Sequence, residues 1–120
     1  MSFRNTLKTI VESVEGGVGA IIMGYDGIEI DAYVIDDSGF DVQLLAVEYA
    51  TVLKEVKKTV EVLKSGEMEE VTIATKLYRV VVRAINDEFF VVLILLGDGN
   101  YGKGRYVLKR EAPALLSGLQ

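Results

Sequence analysis

Hydrophobic positions recur along the chain with two different periods, and each period marks an element. Phe3, Leu7, Ile10, Val11 and Val14 follow the spacing i, i+4, i+7, i+8, i+11, which predicts a helix with one apolar face. Gly16-Gly17 stops it, because glycine tolerates the left-handed position that ends a helix. Residues 18–23 are apolar on both alternating faces, as in a central strand covered from both sides. Asp26-Gly27 is a hairpin signal. The returning strand sets Ile28, Ile30, Ala32 and Val34 against Glu29, Asp31 and Tyr33, an alternation that predicts an edge strand with one wet face.

Asp36-Asp37-Ser38-Gly39 breaks the pattern, and Ser38 or Asp41 can cap a helix after it. Residues 42–65 predict a long helix with Val52, Leu53, Val56, Val60 and Leu63 in one stripe. Its length would be roughly 35 Å, enough to cross a domain whose radius of gyration should be about 14 Å. Lys57 and Glu61, and Glu61 and Lys64, stand at pairing distance on its wet side. Ser65-Gly66 ends it. Three strands come next, near 68–75, 77–85 and 88–96; the last reads FFVVLILL and is apolar on both faces. A glycine-rich loop over 97–104 leads to a last helix from about Arg105, which Pro113 should break or kink.

The order α-β-β-α-β-β-β-α predicts a mixed α/β (α+β) fold in one domain over residues 1–120. Hairpin logic pairs the first two strands and makes a meander of the last three. The two doubly apolar strands should then meet in the middle. The result is a five-stranded antiparallel sheet of order 2-1-5-4-3, with the long helix on one face and the terminal helices on the other.

Composition narrows the chemistry. The chain has no cysteine and no histidine, which removes disulfides, thiolate metal sites and the commonest general base. A net charge of −5 argues against nucleic acid. The start, MSFRNTLKTI, lacks a signal-peptide layout, and the longest apolar run is far short of the twenty or so residues that span a bilayer. These features predict a soluble cytoplasmic protein without membrane insertion, metal or cofactor.

Several motifs invite sharper readings. Gly97-Asp98-Gly99-Asn100-Tyr101-Gly102 is a literal G-x-G-x-x-G after a strand and before a helix, but no parallel strand or ribose-binding acid comes after it. A plain strand-to-helix loop is the better account. Asp36, Asp37 and Asp41 lack calcium-loop spacing and suit capping and loop solubility. Lys103, Arg105, Lys109 and Arg110, interleaved with Tyr101 and Tyr106, read as a surface helix end. Arg79 and Arg83 share a strand face and need solvent or partners. Lys54, Lys57, Lys58 and Lys64 on the long helix fit either a solvated face or a partner surface.

The long helix carries more apolar surface than one sheet face needs. Leu44, Leu45, Val47, Tyr49, Val52, Leu53, Val56, Val60, Val62 and Leu63 wrap widely round it. A helix apolar over so wide an arc is covered on two sides, and a two-fold copy is the default second cover. The strand near Val71 and Ile73 lies at a sheet edge and is free to pair with its own copy. The expected dimer contacts are therefore Tyr49, Val52, Leu53, Val56, Val60, Leu63, Val71 and Ile73.

The segment Gly17-Val18-Gly19-Ala20-Ile21-Ile22-Met23, then Tyr25-Asp26-Gly27-Ile28, resembles the Roadblock/dynein light chain pattern of a small-residue strand, a D-G turn and an apolar return strand. Asn100-Tyr101-Gly102-Lys103-Gly104-Arg105 resembles that family's N-x-G-x-x-R motif before the last helix. The element order agrees along essentially the whole chain. The resemblance implies a homodimer with paired long helices and joined edge strands. Prokaryotic members similar to MglB bind a Ras-like small GTPase across those helices and can stimulate GTP hydrolysis, with no nucleotide site or catalytic residue of their own. Carried over here, Lys54, Lys57, Lys58, Glu61 and Lys64 become the expected partner surface. A small-molecule sensor, or a structural dimerisation module without a GTPase, is the competing reading.

Overall fold

The computed structural model describes residues 3–35 and 41–120; Asp36 to Gly39, read above as a break and possible cap, lie outside them. The elements run in the order α1 (Phe3–Glu12), β1 (Gly17–Gly24), β2 (Glu29–Val34), α2 (Val42–Val62), β3 (Glu70–Ala74), β4 (Tyr78–Ala84), β5 (Phe89–Leu96) and α3 (Tyr101–Leu119). The strands form one antiparallel sheet in the order β2-β1-β5-β4-β3, as the sequence pattern predicts. The Cα radius of gyration is 13.3 Å.

Two apolar cores lie on opposite faces of the sheet. Side chains of β1 and β5 alternate between them: Ala20, Ile22, Val91, Leu93 and Leu95 meet α1 and α3, while Ile21, Met23, Phe90, Val92 and Ile94 meet α2. This double burial is why both strands read as apolar on every position. Asp41 caps α2, its carboxylate accepting from the Leu44 N–H at 2.9 Å. The buried side of α2 is Val42, Ala46, Ala50 and Leu53. Its small residues let the helix lie close to the sheet, where β1 is its main strand contact.

Three expectations need correction. Pro113 does not break the last helix, which runs on to Leu119. Pro113 and Lys109 are both on the exposed side, so the carbonyl that loses its N–H partner faces water. The turn beyond is anchored instead by Leu115, fully buried, and by Leu119. Second, α3 starts at Tyr101, where the Asn100 side chain accepts from the Lys103 N–H at 3.1 Å, so the loop is only four residues, 97–100. Third, the alternation of β2 does not run through: a register shift sets Glu29 opposite Met23, so Ala32 packs against the α2-side core while Ile28 and Ile30 are 63% and 40% exposed. Glu29 on that side meets α2, its carboxylate accepting from the Gln43 amide at 3.0 Å.

Leu53 is also reassigned. It is fully buried against the sheet, so it belongs to the core and is closed to a second subunit. Leu53→Ala should destabilise the fold by about 2–5 kcal/mol in chemical denaturation at any protein concentration. Leu63→Ala, at a side chain 68% exposed, should leave the folded subunit nearly unchanged.

Candidate interaction surfaces

The free flank of α2 carries a narrow seam. Leu45, Tyr49, Val52, Val56, Thr59 and Leu63 succeed one another at spacings of four and three residues, the repeat by which one helix meets another. Val52 and Leu63 are exposed, and Leu45, Tyr49 and Val56 are half-buried. The opposite flank of the helix, at Val47, Thr51 and Lys54, faces the β1–β2 turn at Tyr25-Asp26-Gly27. The seam therefore looks away from that turn, toward the β3 side of the sheet. There Val71, Ile73 and Tyr78 are only half-buried on the same sheet face.

The two sheet edges differ. On β3, the bonds Ala84 N–H to Glu69 O and Thr75 N–H to Tyr78 O, both 2.9 Å, fix the phase of the ladder. Val71 and Ile73 then bond inward to β4, while Glu70, Thr72 and Ala74 turn their backbone groups outward. No side chain among the described residues bonds those outward groups. On β2 the outward N–H of Ala32 is held by the Asp31 carboxylate at 2.8 Å, and its carbonyl accepts from the Arg4 guanidinium at 3.1 Å. A register shift opposite Ile22 and Met23 bends that strand as well. Edge β2 is capped by side chains at Ala32, whereas edge β3 carries no such cap among the described residues.

The lysines of α2 do not act alike. Lys54 and Lys58 are exposed. Lys57 is half-buried; its ammonium sits 4.7 Å from the Tyr25 ring centre and donates to the Asp87 carbonyl. Val60, Glu61 and Lys64 border a hollow of about 480 Å³ between the end of α2 and the β4–β5 turn, with Val60 on its sheet side. Neither Lys57–Glu61 nor Glu61–Lys64 closes into an ion pair among the described residues. Arg105 pairs with Glu70 at 2.7 Å and Arg110 with Glu111 at 2.8 Å, so half of the α3 basic group is neutralised in place. Arg79 donates to the Thr75 and Tyr78 carbonyls.

The G-x-G-x-x-G segment uses its donors internally. Gly97 N–H bonds Leu77 O at 2.8 Å, Gly99 N–H bonds Leu96 O at 2.8 Å, and Asn100 N–H bonds Glu15 O at 3.0 Å. Gly97 and Gly99 serve close packing, a Cβ on Gly97 falling 2.7 Å from the Lys76 carbonyl oxygen. A Cβ on Gly16, at φ +85°, would lie 2.6 Å from Gly99 Cα, and one on Gly99 would lie 2.9 Å from Glu15 O. A phosphate-cradling loop needs those N–H groups free.

Comparison with solved structures places this geometry. A Roadblock/LC7 domain from Streptomyces avermitilis superposes with a TM-score of 0.85 at 10% identity, covering 99% of this chain and 98% of that one. The gliding protein MglB from Thermus thermophilus gives 0.81 at 16% identity, over 94% and 84%. MglC from Myxococcus xanthus is 39% identical over 98% of this chain and 99% of its own, with a TM-score of 0.73. The chain belongs to the Roadblock/LC7 family, among its prokaryotic Mgl-like members. No family model and no curated protein matches the sequence. Identity to the Mgl proteins falls on MglC: MglB from the same Myxococcus is 12% identical.

In this Roadblock protein the structure brings Tyr49, Val52, Val56 and Leu63 onto one flank beside Val71 and Ile73, and separates Leu53 and Val60 from them. Leu45 and Thr59 complete the seam. The sequence signal for both was the alternating four-three spacing, which a plain amphipathic count blurs. Among the described residues no group of three or more carboxylates converges as a metal site would require, and no helix is long and apolar enough to cross a membrane.

The Tyr25 hydroxyl is buried without a hydrogen-bond partner. Burial, then the charge of Asp87, pushes its pKa up to about 12. The unfolded chain ionises this phenol near pH 10 while the fold still holds the proton, so this contribution is constant below pH 10 and is lost as pH rises toward 12. Tyr25→Phe should keep or raise stability at neutral pH, since it removes an unpaired polar atom. It should also flatten the loss of stability above pH 10 in denaturation followed by circular dichroism.

Proposed function

We propose that this protein is a non-enzymatic cytoplasmic homodimer that binds a Ras-like small GTPase and serves as its regulator or scaffold. The observation that carries the dimer is the coincidence, on one flank, of the four-three seam of α2 and the open edge of β3. Antiparallel pairing of two β3 strands about a two-fold axis at Thr72 continues the sheet across both subunits. It also turns the seam flanks of the two α2 helices toward one another across the axis. MglB itself occurs in a tetrameric arrangement, which fits self-association in this group.

Two substitutions separate the parts of that interface. Thr72→Pro removes an outward N–H that β4 does not use, so the subunit should fold and the dimer should be lost. Val56→Asp puts a charge in the seam and should do the same. Sedimentation velocity distinguishes dimer from monomer; a dimer surviving both changes contradicts the interface.

The GTPase is supported by family membership and by the exposed lysines of α2, Lys58 and Lys54, the latter on the flank beside the β1–β2 turn. The absence of histidine and cysteine, with the internally bonded donors of the glycine loop, favours action through surfaces. The test is capture of a Ras-like GTPase from the same cell in its GDP and GTP-analogue states, with a turnover assay. Lys54→Glu with Lys58→Glu should weaken capture about tenfold. Lys57 is unsuitable for this purpose because its charge is engaged over Tyr25. Absence of binding in both nucleotide states contradicts the proposal. The hollow beside Tyr25 favours the second reading, a small-molecule sensor; thermal shift against a metabolite panel, lost in Tyr25→Phe, would support that instead.

A further inference from the structure

The hollow beside Tyr25 is made by the way α2 ends. The helix closes in a left-handed cap at Lys64, φ 54°, where the Ser65 N–H bonds the Val60 carbonyl at 3.3 Å and the Lys64 N–H bonds that of Glu61 at 3.1 Å. The chain turns again at Gly66, φ 102°, and reaches β3 only at Glu70. Residues 66–69 thereby wall off about 480 Å³ against the β4–β5 turn. That volume is in the range of small-molecule sites.

Its lining has an apolar part and an acidic part. Tyr25, Val60, Met68 and Ala84 supply the first. Glu61, Glu67, Glu69 and Asp87 supply the second, and none of these carboxylates closes an ion pair among the described residues. The Glu69 carbonyl accepts from the Ala84 N–H at 2.9 Å, which sets Glu69 opposite Ala84 and in line with Phe90 of the α2-side core. Burial, then the charge of Asp87, raises the pKa of the unpartnered Tyr25 hydroxyl, so the acidic part reaches the apolar one. Of the cations along the lining, Arg83 stands opposite Val91 of the α1–α3 core, and its side chain leaves from the other face of the sheet. Lys57 is held over the Tyr25 ring by the Asp87 carbonyl. In the hollow itself four carboxylates therefore stand against two ammonium groups. The last turn of α2 carries no basic residue, so the negative end of the helix dipole adds to that excess. Such a field repels a phosphate or carboxylate ligand and draws in a cation.

We infer, on the small-molecule reading of this hollow, that it is a site for a small organic amine. The ammonium lies among Glu61, Glu69 and Asp87, and the apolar body of the ligand rests on Tyr25, Val60, Met68 and Ala84. The site can coexist with the proposed GTPase contact, since Lys54 and Lys58 take no part in its lining.

The test uses the full-length isotope-labelled chain and three probes that share one apolar body: phenylbutylamine, phenylbutyrate and phenylbutanol. The amine should shift the amide resonances of residues 25, 60–61, 64–69 and 84–87 and reach saturation. Its affinity should fall about tenfold in Glu61→Gln with Glu69→Gln and should weaken in high salt. Both changes are isosteric and at exposed positions, so the fold should be kept, with an unchanged thermal transition by circular dichroism. The butyrate should not bind. Shifts at the same residues from the butyrate or the butanol, as strong as those from the amine, overturn the amine class and leave the small-molecule reading standing. Amine shifts confined to the seam, or an affinity unchanged in the double variant, place the binding elsewhere and overturn the site. No shift from any of the three probes at millimolar concentration overturns it as well; the small-molecule reading falls with it only if the metabolite panel is also silent.

Discussion

A helix with its side chains is about 10 Å across, whereas five strands at about 4.8 Å spacing span about 19 Å between their outer axes. Two helices, α1 and α3, can close one face of such a sheet, and they do. The other face has α2 alone. Ala46 and Ala50 seat it low over β1, so it covers the centre and leaves sheet on either side. The half-buried Val71, Ile73 and Tyr78 toward β3 are the part that α2 leaves uncovered. The proposed dimer surface follows from this mismatch in width.

The edges decide what each half can accept. On the β3 side the strand offers free backbone groups, and the helix above it offers a seam of the right repeat. Sheet and helix can be completed together by the same object, a second copy related by a two-fold axis. On the β2 side the backbone of Ala32 is bonded by Asp31 and Arg4, which obstructs strand addition at the middle of that edge. A subunit with one open edge forms a closed pair; a subunit with two would grow without limit.

Much of this was legible in the chain. The doubly apolar runs of β1 and β5 place them at the centre of the sheet, because only a strand covered on both faces reads that way. Strand order then comes from the hairpin connections. Less legible was which flank of α2 faces what. Val52 and Leu53 are adjacent and equally apolar, yet one is 47% exposed and the other fully buried; only the small face of Ala46 and Ala50 fixes the rotation of the helix. Alternation in β2 does not reveal the register shift that sets Glu29 opposite Met23 on the α2 side. Pro113 misleads because the cost of a proline depends on where the orphaned carbonyl points. The glycine motif of residues 97–102 misleads because glycines that admit a phosphate and glycines that admit a neighbouring backbone look alike in sequence; the internal bonds of Gly97, Gly99 and Asn100 separate the two.

The most direct test of the open edge is amide hydrogen exchange at Thr72, whose N–H points out of β3. Pairing of two subunits through this strand predicts that its protection rises with protein concentration and levels off once the chain is fully dimeric, while the inward amides of Val71 and Ile73 are protected throughout. Rapid exchange at Thr72 at every concentration, in a sample that is dimeric by mass, would place the interface elsewhere and contradict pairing through β3.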